Sequence, residues 1–197
     1  MTKQFRQIRG IAEGTSYSII YEGERDLQTE IDMLLANFEK SLSVYDPNSI
    51  ISKINRNEII DTDLYFETVF NKAKEISTIT GGAFDISAEP LFRAWGFSSE
   101  KKNPPSSEEI NTFRKYIGME KVHLEGKRVL KKYPKIVLNM NAIAKGYSAD
   151  IVSEYLENES CINYLIEIGG EIRVQGHNQD GDIWSIGIDR PSETNLF

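Results

Sequence analysis

Between Glu24 and Val44 the apolar residues fall at Leu27, Ile31, Leu34, Leu35, Phe38 and Leu42. Their spacing of three and four predicts an amphipathic helix with one core face. Asp46-Pro47-Asn48-Ser49 breaks the pattern: the proline sits where a turn wants it, and Ser49 is placed to cap a short helix through Ile50, Ile51 and Ile54. A second long helix is expected from Thr62 or Asp63, carrying Leu64, Val69, Phe70, Ala73, Ile76 and Ile79 inward and stopping at Gly81-Gly82. Ser106 and Glu109 have the spacing of a capping box, so another helix starts there and ends at Gly118 after Ile117. A third long helix is predicted over 142–157, with Ile143, Tyr147, Ile151, Tyr155 and Leu156 on one side.

Elsewhere the pattern is that of strands. The stretch from Phe5 to Tyr21 mixes apolar and β-branched residues and reads as one strand with Gly14-Thr15 near its middle. Lys121–Leu124 and Arg128–Lys131, joined at Glu125-Gly126, read as a hairpin. Ile136–Met140, Asn163–Ile168, Glu171–Gln175 and Ile183–Asp189 are further strands, with a turn at Asn178-Gln179-Asp180-Gly181. Hairpins mixed with separate helices give an α+β class rather than a doubly wound parallel sheet. The polar stretch Ser98 to Asn103, closed by Pro104-Pro105, reads as a loop.

Composition narrows the class. The chain has 197 residues, which fits one domain or two small ones. With 30 acidic against 23 basic residues the net charge is −7, and this argues against a nucleic-acid binder, which needs a basic face to displace counterions. One cysteine, Cys161, excludes an internal disulfide and fits a small core residue, while His123 and His177 lie too far apart for zinc-ligand spacing. No apolar run approaches the ~20 residues that cross a bilayer. The short apolar run Tyr17–Tyr21 reads as a strand, not as the core of a signal peptide.

Three segments could carry chemistry. In Asn139-Met140-Asn141-Ala142-Ile143-Ala144-Lys145-Gly146-Tyr147 a strand ends and a helix begins, with Asn141 placed to cap it. The first free N–H groups of such a helix form an anion site, and Lys145 adds a point charge toward a phosphate. Gly146 costs about 1 kcal/mol in a helix, which suggests close approach of a backbone or a ligand. A plain capped turn with a solvated lysine is the other reading. Thr80-Gly81-Gly82-Ala83-Phe84-Asp85 can wrap a ligand with its backbone; a helix end followed by a strand explains the glycines but not Asp85 in an apolar run. In Ile166-Glu167-Ile168-Gly169-Gly170-Glu171-Ile172 the two glutamates are either a catalytic pair or exposed strand residues. Neither glycine pair matches a dinucleotide fingerprint or a P-loop. Tyr45, Phe84, Phe92, Trp95 and Phe97 are either core aromatics or a platform for a flat ring.

Taken in order, these segments resemble the flavin transferases, the FAD:protein FMN transferases of the ApbE family. The resemblance rests on Gly14-Thr15-Ser16-Tyr17, Ser43-Val44-Tyr45, Ser49-Ile50-Ile51 with Ile54-Asn55, and Gly81 to Ile86. Trp95-Gly96-Phe97, Asn141 to Asp150, Ile168-Gly169-Gly170-Glu171 and Trp184 to Asp189 complete it. It implies an α+β fold with a T-fold-like antiparallel sheet and packed helices. It also implies an enzyme that binds FAD and Mg²⁺, splits the pyrophosphate, attaches FMN to a threonine of an acceptor protein and releases AMP. On this resemblance the FAD contacts fall on Glu13, Tyr45, Ala83, Phe84, Asp85, Asn139 and Lys145, and the carbonyl of Ala142 is a metal ligand. Two positions depart from the family: Glu13 stands where methionine is frequent, and Asn139 where many members have aspartate. The motifs with which the family continues, including its metal-ligating aspartate/threonine pair, do not occur. Residues 1–197 therefore read as the N-terminal part of an ApbE-like domain, incomplete at the C-terminus. An FAD pyrophosphatase and a non-catalytic flavin-binding module are the alternatives. The implied setting is the periplasmic side of the cell envelope, as a lipoprotein. Self-association is a further expectation where an apolar face lies uncovered.

Overall fold

The computed structural model describes residues 4–97 and 104–188. Its first correction comes at once: β1 (Phe5–Ala12) and β2 (Thr15–Glu22) are two strands of a hairpin, not one. Glu13 and Gly14 have φ of 53° and 71°, so both lie in the left-handed region that a two-residue hairpin turn requires. The helices follow as α1 (Gln28–Leu42), α2 (Ile50–Asn55), α3 (Leu64–Ile79), α4 (Glu89–Ala94) and α5 (Ser107–Arg114). A single 3-10 turn, Met119–Lys121, leads into the small hairpin of β3 (Val122–Glu125) and β4 (Arg128–Lys131). The chain continues through α6 (Asn141–Asn158) to β5 (Tyr164–Ile168) and β6 (Glu171–Gln175).

β5 inserts beside β2, with Tyr17 opposite Ile168, giving a four-stranded antiparallel sheet in the order β1-β2-β5-β6. The α+β expectation stands. Alternation in β2 sends Tyr17, Ile19 and Tyr21 into the core. Two apolar clusters result, and α1 and α6 belong to both. Ile31 and Leu35 of α1, with Val152 and Leu156 of α6, pack on the sheet. One or two turns away, Phe38 and Leu42 of α1 and Ala144 and Ile151 of α6 pack among α2 and α3. Each fully buried side chain of this size contributes roughly 1.5–3 kcal/mol, so the two helices bind the halves of the fold together.

The capping signals of α2, α3 and α5 hold. Ser49 Oγ accepts from Ser52 N at 3.1 Å, Asp63 Oδ1 from Phe66 N at 2.9 Å, and Ser106 with Glu109 forms the capping box. α3 departs from its reading at both ends, where Leu64 and Ile79 are exposed, because a helix's terminal turns overhang the surface it packs on. α5 stops at Arg114, earlier than Gly118. Ile136–Met140 joins no sheet, and the Asn55 side chain takes both Leu138 backbone groups: Nδ2 donates to the carbonyl at 2.9 Å and Oδ1 accepts the N–H at 2.8 Å. Of the strand expected over 183–189, the described part makes only one bridge, between Ile183 and His177. Ser98 to Asn103 and the residues from Asp189 onward lie outside the described residues.

Candidate functional site

The antiparallel order puts the β1–β2 and β5–β6 turns at the same end of the sheet, where Gly169 N–H donates to Ser16 O at 3.0 Å. Gly169 has φ of 57°, and a Cβ there would lie 2.6 Å from Thr15 Cγ2 and 3.2 Å from Lys145 Nζ. The lysine ammonium therefore rests against this turn, and three sequence-distant segments meet. Beside them opens a cleft of about 930 Å³, walled by Glu13 and Gly14, by Glu39 and Tyr45 at the end of α1, and by Lys145 and Glu171. Three of the residues singled out from the sequence, Glu13, Tyr45 and Lys145, share it.

Glu13 is the unusual member. Its backbone N–H donates to the Glu39 carboxylate, and its own Oε1 is buried without a hydrogen-bond partner. Burial pushes its carboxyl above the ordinary carboxylate range; Glu39 and Glu171 add to the push, while Ser148 and Lys145 oppose it. Tyr45 stands 80% exposed at the rim, its ring available to a planar partner. Phe92, Trp95 and Phe97 are exposed too, and Phe84 is half-buried against the helical cluster, so the all-core reading of these aromatics does not hold. Glu167 and Glu171 are not a catalytic pair. Glu167 Oε1 accepts from Gly170 N at 2.8 Å and holds the turn, while Glu171 lines the cleft.

The start of α6 is built differently from the expectation. The helix begins at Asn141, one residue early, and Asn141 does not cap it. Asn139 does the capping instead: its Oδ1 accepts from Asn141 N at 2.9 Å, and its Nδ2 donates to Glu89 Oε2 at 2.7 Å. Glu89 is 7% exposed and also lies 3.5 Å from the Arg93 guanidinium. Asn139 N–H donates to Ile86 O at 2.8 Å, which ties this corner to the 83–87 segment. No strand follows Gly82. There Asp85 Oδ1 accepts from Ser87 N at 2.8 Å and from Ser87 Oγ at 2.6 Å, so it shapes the loop before α4, and Ala83 is exposed beside it. Asp85, Asn139 and the exposed Ala142 thus form a corner next to the cleft rather than part of its wall. At Gly146 nothing lies within 4 Å of a built Cβ, so no backbone approaches it.

Sequence reasoning missed Glu39 and Glu89, and at Asn55, quoted only within the resemblance, it missed the bonds to Leu138. Glu39 lies between two core positions of an amphipathic helix, where a glutamate reads as solvated. Glu89 precedes Pro90 at the start of α4, which itself escaped the periodicity because six residues span less than two turns. Among the described residues no group of three or more His, Cys, Asp and Glu converges as a metal centre, at the Ala142 carbonyl or elsewhere. Among the same residues no helix is long and apolar enough to cross a membrane.

Residues 14–196 match the ApbE family. The chain is 36% identical over 196 residues to the FAD:protein FMN transferase of Vibrio cholerae serotype O1, covering 94% of this chain and 59% of that protein. It is 30% identical over 204 residues to the protein of the same name from Haemophilus influenzae, again covering 59% of it. Its fold superposes on the flavin transferase ApbE from Vibrio cholerae with a TM-score of 0.89 at 34% identity, over 96% of this chain and 65% of that one. On the apo flavinyl transferase ApbE of Pseudomonas stutzeri the TM-score is 0.88 at 28% identity, over 95% and 66% of the two chains. The chain thus spans about 59% of the length of the curated relatives it matches.

Proposed function

This chain belongs to the ApbE family, and we propose that its cleft holds FAD for a flavin transferase reaction. In this reading a threonine hydroxyl of an acceptor protein attacks the FMN phosphorus, the pyrophosphate P–O bond breaks, the hydroxyl proton is lost, and AMP leaves. The observation that carries it is the meeting of Lys145, the N-terminus of an 18-residue helix and an exposed Tyr45 around one cleft of about 930 Å³. Each part has a role. Lys145 places a point charge where a pyrophosphate oxygen would lie, and the N-terminus of α6 favours anions through the helix dipole. Asn139 keeps that end of the helix in place through its bond to Asn141 N. Tyr45 offers a ring face to a flat heterocycle. The 83–85 segment, tied to Asn139 through Ile86, supports the far end of the nucleotide.

Mg²⁺ belongs to this reading through the Ala142 carbonyl, and would neutralise charge on the pyrophosphate when bound. The described residues supply no acidic group of three to complete its shell, so no step is assigned to it. The reading sets the activity on the periplasmic side of the cell envelope, which fractionation of native cells tests.

The experiment is a titration of the purified chain with FAD, followed by flavin fluorescence, with and without Mg²⁺. Saturable binding is expected, weakened by about tenfold to a hundredfold in Lys145→Met, equivalent to about 1.4–2.8 kcal/mol. Equal affinity in the variant, or no binding by the parent chain, would remove the proposal. Adding an acceptor protein separates the outcomes of catalysis. Covalent flavin on a threonine supports transfer, free FMN with AMP makes the chain a pyrophosphatase, and intact FAD makes it a binding module.

A further inference from the structure

The cleft's two lysines, Lys145 and Lys40, are outnumbered. Beside them stand four carboxyl groups, Glu13 from the β1–β2 turn, Glu39 from α1, Asp46 from the turn after α1 and Glu171 from β6, while α6 contributes the polar groups of Asn141 and Ser148. If all four carboxyls are ionised, a pyrophosphate enters a region of net negative charge, and the repulsion opposes what the lysines offer. One of the four is built to be neutral. Glu39 accepts the Glu13 backbone N–H, and Asp46 accepts from Asn48 N at 2.8 Å. Glu171 stands exposed to water at the start of β6. Glu13 Oε1 has no such setting: it is shut from water with no donor. The Ser148 hydroxyl, which also donates to the Lys145 carbonyl at 2.7 Å, favours the ionised form but does not outweigh the burial. A protonated Glu13 can donate to a ligand atom in the cleft; an ionised one cannot.

We propose that Glu13 meets the nucleotide as the neutral acid, so that the cleft takes up one proton together with FAD. The inference rests on the FAD reading above. The proton comes from solvent and ends on a Glu13 carboxylate oxygen, and no other bond changes. Glu13 is then a residue that makes nucleotide affinity depend on pH.

The test measures FAD affinity of the full chain between about pH 5 and about pH 8, in chelator and again in Mg²⁺. A one-proton coupling predicts affinity rising toward low pH, by at most about tenfold per pH unit. Glu13→Gln, a neutral isostere, is expected to bind more tightly than the parent at the upper end and to lose the pH slope. Glu39→Gln is expected to keep the slope but move its midpoint to lower pH, because it removes a charge that favours the neutral form. Calorimetry on the unaltered chain, in buffers of different ionisation enthalpy, should show proton uptake with FAD. An identical slope in parent and Glu13→Gln, or binding with no proton uptake and strengthened only by Mg²⁺, overturns the proposal while leaving the FAD reading intact. Absence of FAD binding at every pH, in parent and variants alike, overturns both.

Discussion

Asn139 does two jobs with one amide: its oxygen caps α6 and its nitrogen donates to Glu89 Oε2 at 2.7 Å. An aspartate could keep the first bond but would bring a second carboxylate against a nearly buried glutamate. Asn139→Asp is therefore expected to lose about 1–3 kcal/mol in urea denaturation. Glu89→Gln added to it restores a donor–acceptor pair, and the double variant should return to within about 0.5 kcal/mol of the parent. Equal losses in the single and double variants would show that the contact does not set the cost. The sequence exposed half of this arrangement. Asn139 drew attention through the resemblance, and the strand-to-helix change around it was legible from periodicity. Its partner was not, because a glutamate 50 positions away carries no local mark of being buried.

At the scale of elements, turns decide where the chemistry lies. Gly169 and Gly126 both sit in left-handed hairpin turns, with φ of 57° and 55°, but only Gly169 has neighbours in the path of a Cβ. Gly126→Ala should cost about 1 kcal/mol of backbone strain. Gly169→Ala should cost about 1–3 kcal/mol more, because the methyl group meets Thr15 and the Lys145 ammonium. It should weaken FAD binding as well, and denaturation and FAD titration of both variants check the pair. Equal stability and unchanged affinity would mean that the turn yields and Lys145 is not held by it. The helices were the most legible elements, since caps and spacing act within one or two turns. The β1–β2 hairpin was not, because the left-handed φ of 53° at Glu13 leaves no mark in a run otherwise read as one strand.

Across the whole molecule, Lys131 binds distant pieces. Its half-buried ammonium donates to the carbonyls of Ile54 and Ile136 at 3.0 Å, joining β4, α2 and the segment that leads to α6. Burial lowers its pKa from an ordinary 10.5 to about 8. Between those values the unfolded chain holds more proton than the folded one, so stability contributed at this site rises as pH rises through the window. Lys131→Met should flatten that rise and cost about 1–3 kcal/mol at neutral pH through its orphaned carbonyls, as read by denaturation midpoints at several pH values. An unchanged pH dependence would show that another group governs it. The sequence by itself determined the α+β class, the caps of α2, α3 and α5, most helices and the family, because each is written in short-range spacing or in motifs that survive in order. Tertiary structure alone decided that Glu13, Tyr45 and Lys145 share a cleft while Asp85, Asn139 and Ala142 form the corner beside it. It alone supplied Glu39 as the partner of Glu13 and Glu89 as the partner of Asn139, and left Glu13 Oε1 buried without one. Those outcomes depend on which surfaces α1 and α6 bring face to face, and charge and hydration at a point in space are sums over neighbours that no local stretch of chain contains.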